Sequence, residues 1–97
     1  MTTVEAPSDL PGRLVGERLA ACVQEVPIAS TYRWEGEVAR ADEVLLLIKT
    51  ADDRGDDVVR FLERNHPYEV PEIMVLTEAE AFGSYLGWLT EETRPGG

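Results

Sequence analysis

Along the 97 residues the spacing of apolar positions changes repeatedly, and each change marks an element. Thr2–Ala6 reads as a short strand stopped by Pro7. Ser8 or Asp9 then caps a helix over Leu10–Ala20, with Pro11 in the first turn, where a missing N–H costs nothing. Leu14, Val15 and Leu19 give that helix its apolar side, while Gly12 and Gly16 weaken it. Ala21–Val26 reads as a strand bent at Pro27. From Thr31 the alternation is strict: Tyr32, Trp34, Gly36 and Val38 point to a covered face, Thr31, Arg33, Glu35 and Glu37 to a wet one. Ala39–Asp42 supplies a turn. Val44–Ile48 follows, apolar on both faces, as a central strand in an antiparallel hairpin should be. A helix starts at Asp52 or Asp53 and ends at His66-Pro67, burying Val58, Phe61 and Leu62. Val70–Leu76 forms another strand, interrupted by Pro71. Thr77 and Glu80 have capping-box spacing ahead of a last helix, which runs to about Glu92 with Phe82, Tyr85, Leu86 and Leu89 on one side.

This order is the α+β, ferredoxin-like plan: two split βαβ units in one antiparallel sheet (βαββαβ), with an additional C-terminal helix. One domain fills residues 1–93, and residues 94–97 read as a flexible tail. The helices of such a fold cover one face of the sheet. Val44–Ile48 asks for cover on both, and no chain is left to supply it, so a second copy is expected there.

Charge and composition narrow the functions. Nineteen acidic against nine basic residues give a net charge of −10, which disfavours nucleic acid and anionic membrane surfaces and suits cations or basic partners. One cysteine and one histidine exclude a disulfide framework and a zinc-finger set. No apolar run reaches the ~20 residues that span a bilayer, and the N-terminal residues lack the pattern of a secretory signal, so a cytoplasmic location is expected. No Gly-rich phosphate loop, nucleophile elbow or Ser/His/Asp set is present, so the chain does not read as an enzyme.

The candidate chemistry is sparse. Cys22 is either a soft ligand suited to copper or, as free cysteines commonly are, a small buried hydrophobe. His66 sits at a helix end, where it either caps carbonyls or, with Glu69 and Glu72, makes a corner for a divalent metal. Lys49, the single lysine, ends a buried strand; a salt bridge across a subunit boundary is favoured over an anionic ligand. Tyr32, Trp34, Tyr68, Tyr85 and Trp88 suit packing and interfaces better than a ligand cage. The acidic run Asp52–Asp57 lacks calcium-loop spacing and fits the positive end of a helix.

Three stretches together resemble the CutA family of divalent-cation tolerance proteins: Glu17–Val23, Tyr32–Gly36 followed by Glu43–Thr50, and His66–Ile73. The helix between Pro7 and Glu17 departs from the family pattern, being shorter and carrying Pro11, Gly12 and Gly16. The resemblance implies a PII-like subunit in a tight homotrimer and a role in tolerance of copper and other divalent metals. On that basis the expected function is a cytoplasmic homotrimer that binds a divalent metal ion, copper first, through Cys22, His66, Glu69 and Glu72. The alternative is a non-catalytic PII-like signalling module. It would hold a small ligand or partner protein in inter-subunit clefts lined by Tyr32, Trp34, Lys49, Tyr68 and Trp88. A small enzyme built at the trimer interface ranks last.

Overall fold

A computed structural model describes residues 1–77 and 80–95. Its dominant feature is one long hairpin: β2 (Cys22–Trp34) and β3 (Glu37–Lys49), thirteen residues each, paired without interruption from Cys22↔Lys49 to Trp34↔Glu37. The turn is therefore at Glu35-Gly36 and not at Ala39–Asp42. Both turn residues have positive φ (49° and 80°), as a two-residue turn matched to the strand twist requires, and Gly36 takes that conformation without strain. Directly opposed residues share a face. Because Trp34 pairs with Glu37, Val38 falls on the opposite face from Tyr32 and Trp34, against the simple alternation. Pro27 does not end β2. It pairs with Val44, and the missing N–H is tolerated because β2 is an edge strand in the sheet order β1-β3-β2.

The short strand β1 (Thr2–Val4) lies antiparallel to β3, with Thr3 opposite Leu45. The strand expected at Val70–Leu76 is reduced to one antiparallel bridge, Thr2↔Ile73, beside a Met74 N–H donating to the Met1 carbonyl at 3.0 Å. Its place outside β1 is where a ferredoxin-like sheet carries its fourth strand. Pro71 has no N–H to give, and three-residue β1 offers few partners, so the ladder does not extend.

Helix α1 (Leu10–Gly16) is shorter than its pattern suggested, and the Ser8 hydroxyl accepts the Leu10 N–H at its start. It buries Leu10 and Leu14; Val15, expected on the same side, is exposed. A 3₁₀ turn at Asp52–Arg54 leads into α2 (Gly55–Asn65), which ends at His66 as the following proline dictates. The last helix, α3 (Gly83–Glu92), begins with Phe82 at its N-cap and no side-chain cap, so Thr77 and Glu80 lie ahead of the helix; residues 78 and 79 between them are outside the described residues. Of its apolar side only Leu89 is buried, and Phe82 is 83% exposed. Arg94, expected in the tail, is tied down by two 2.6 Å hydrogen bonds to the Asp53 carboxylate, which hold Asp53 below the usual carboxylate range. Residues 96 and 97 of that tail are outside the described residues.

The core lies on one side of the sheet. Val4 and Leu46 meet Leu10, Leu14, Val58, Phe61 and Leu62 of the helices, with Val23, Val44 and Ile48 packed at the margin. By register these strand residues share one face. Among the described residues, none from the opposite, open-face positions of β2 and β3 joins this core cluster. A radius of gyration of 14.5 Å, against about 12 Å for a compact chain of this length, reflects the projecting hairpin and the uncovered surface.

Candidate functional site on the open sheet face

The pairing register defines the open face. From the base of the hairpin to its tip it carries the pairs Cys22/Lys49, Gln24/Leu47, Val26/Leu45, Ile28/Glu43, Ser30/Ala41, Tyr32/Ala39 and Trp34/Glu37. Four residues singled out in the sequence, Cys22, Lys49, Tyr32 and Trp34, therefore stand on one surface. Tyr32 and Trp34 are about two-fifths exposed, so a single chain does not give them the covered position that their alternation suggested.

Tyr68 reaches the same face from the loop after α2. Its hydroxyl donates to Glu43 Oε2 at 2.8 Å, and its ring meets the His66 ring edge-on at 4.8 Å. Glu43 is the site residue that sequence reasoning missed; its only signal was a carboxylate on the otherwise apolar inner half of β3. Burial pushes the Tyr68 phenol above its ordinary 10.0, and the neighbouring Glu43 carboxylate adds to the shift. Unfolded tyrosine ionises from about pH 10 while the folded phenol keeps its proton, so this contribution to stability is complete below pH 10 and declines above it. Wild type is expected to lose more stability between pH 8 and about pH 10.5 than Tyr68→Phe, read as urea midpoints. Equal losses would show that Tyr68 is not a source of the alkaline sensitivity.

His66 is placed differently from a ligand. Its Nδ1 accepts the Tyr68 N–H at 3.1 Å, so Nε2 carries the proton and donates to the Thr3 carbonyl at 2.9 Å. Nε2 thus staples the loop to β1 while Nδ1 holds the turn of the loop itself, and metal binding through either one breaks a backbone contact. Glu69 and Glu72 are exposed. Cys22 pairs with Lys49, four positions along β3 from Leu45, the partner of Thr3; that is about 13 Å, with a further offset across the sheet. Among the described residues, no group of three or more His, Cys, Asp or Glu side chains forms a cation site. Within one chain, Cys22, His66, Glu69 and Glu72 do not fit a metal.

Trp88 lies apart on α3. It lines an open cleft of about 390 Å³ with Val15, Arg18, Ala20, Ala21 and Glu92, next to the start of β2. Arg18 adopts φ 60°, usually left to glycine, and its guanidinium lies 3.6 Å from the Glu92 carboxylate, tying α3 to the end of α1.

Comparison with known proteins resolves the family. The profile of the CutA1 divalent ion tolerance proteins matches residues 1–92. The chain belongs to that family. The divalent-cation tolerance protein CutA of Thermus thermophilus is 49% identical over 81 residues, covering 82% of this chain and 79% of that protein. The rice protein CutA 1, named as chloroplastic, is 43% identical over 91 residues, 93% of this chain but only 51% of the rice protein, so this chain spans about half of that relative. Among solved structures, the PII-like protein CutA of Nostoc superposes with a TM-score of 0.91 at 29% identity, covering 97% of this chain and 94% of that one. The family assignment matches the three sequence stretches. The expected ferredoxin-like, PII-like CutA fold is the one observed, and the family connects the chain with divalent-cation tolerance. Among the described residues no helix is long and apolar enough to cross a membrane.

Proposed function

We propose that this CutA-family chain works as a cytoplasmic, non-catalytic homotrimer that binds a divalent metal ion, copper first, where the open sheet faces of its copies meet. The observation that carries this reading is the open face itself. It holds Cys22 beside uncovered apolar positions that a second copy would bury. Copies related by symmetry can bring several soft sulfur donors together, which one chain cannot do. Glu69 and Glu72 then serve as accessory oxygen donors at most, and His66 as the staple of its loop. The test is calorimetry in moderate salt, with magnesium as the control for general acidity. Copper is expected to bind far more tightly than magnesium, Cys22→Ser to weaken copper at least tenfold, and His66→Ala to lower the melting temperature more than the affinity. Copper binding no better than magnesium, or unchanged by Cys22→Ser, overturns the metal reading.

The alternative is a PII-like module holding a small ligand or partner protein between subunits. It is supported by Tyr32, Trp34, Lys49 and the Tyr68–Glu43 pair sharing one face, with Trp88 beside a separate cleft. Loss of the copper response, together with saturable binding of a small organic ligand that depends on Trp34, would select it.

A further inference from the structure

We propose that two opposite charges of the open face pair between copies, Lys49 of one copy with Glu43 of the next, around the trimer. This rests on the trimeric assembly proposed above and adds the contact that sets its register.

The register makes the case. Lys49 is the only cation that β2 and β3 place on the open face, and it makes no ion pair among the described residues. Glu43 lies six positions earlier on the same strand, about 20 Å away, too far to pair within one chain. The second carboxylate of the face, Glu37, is exposed beside the hairpin tip and stays in water. Glu43 is half-buried, and Tyr68 fixes its Oε2, leaving Oε1 to accept from a cation. When another copy covers this face, a charge at either end without a partner bears the cost of desolvation. A closed ring of three joins different patches of neighbouring copies, so one contact repeats three times. Laying the Lys49 end of one face against the Glu43 end of the next satisfies both of these charges with a single kind of contact. Each copy carries −10, so local attraction of this kind also offsets the repulsion between copies.

The experiment is a double-mutant cycle on the full chain with Glu43→Gln, Lys49→Gln and the two combined. It reads the chain concentration at which half the trimer dissociates, in enough denaturant for wild type to dissociate. The amide introduced by Glu43→Gln still accepts the Tyr68 hydroxyl, so the local fold is kept. Each single change is expected to raise the midpoint at least tenfold, and the second change to add little to the first. The swapped pair Glu43→Lys with Lys49→Glu is expected to recover most of the loss. Net charge alone predicts that Glu43→Gln strengthens the trimer, so that result overturns the pair. Losses that simply multiply in the double variant also overturn it while leaving the trimer standing. A wild-type chain of monomer mass removes both the trimer and the pair.

Discussion

Leu46→Ala is expected to lower the stability of the fold by about 3–5 kcal/mol, the largest effect of any single truncation in this chain. Leu46 is fully buried on β3, the central strand of the sheet. It pairs with Thr2 of β1 on one side and Glu25 of β2 on the other, and its side chain joins the cluster made with Leu10, Leu14, Phe61 and Leu62. Removing it takes contacts from sheet and helices together, and rigid neighbours on both sides leave little room to collapse into the gap. Leu47→Ala is the internal control, because Leu47 is on the open face and only partly covered in one chain. Denaturant midpoints with unchanged slopes measure both. A cost below about 1.5 kcal/mol at Leu46 would place the core elsewhere.

Light scattering on the purified chain is expected to return three times the 10.8 kDa of one copy at micromolar concentration, and Trp34→Ala to shift that mass downward. The sequence pattern put Trp34 on a covered face; in one chain it is 44% exposed, so truncation removes little from the monomer fold. It stands on the open face with Tyr32 and Val26, all about two-fifths exposed. Obligate interfaces bury ~2,000 Å² or more, and Trp side chains dominate their energetics, commonly by more than 2 kcal/mol each, which is a tens-fold change in affinity. Trp34→Ala is therefore expected to keep its far-ultraviolet spectrum while dissociating at concentrations where wild type stays assembled. A wild-type monomer mass sinks the assembly reading. An unchanged Trp34→Ala trimer moves the interface away from the hairpin.

Local signals alone determined a good part of this protein. Val58, Phe61 and Leu62 at helical spacing gave the buried stripe of α2, and His66-Pro67 gave its end, because steric restriction before proline acts within one residue. The two-sided apolar run Val44–Ile48 gave the central strand. The three family stretches identified the family. The hairpin turn was not legible: Glu35-Gly36 lacks the strong Asn-Gly signal, and the alternation runs through it, so only the pairing of Trp34 with Glu37 shows which residues share a face. The fate of Val70–Leu76 was decided by its neighbour, because a strand exists only as far as its partner's hydrogen-bonding groups reach, and β1 is three residues long. The placement of the candidate ligands depends on tertiary contacts in the same way. Cys22, His66, Glu69 and Glu72 carry the right chemistry in sequence, yet hydrogen bonding commits both nitrogens of His66 to the backbone and the register sets it far from Cys22. Residue type and period are properties of the chain. Which side chains meet, and which are already occupied, depends on contacts between residues distant in sequence, and those exist only once the sheet has closed.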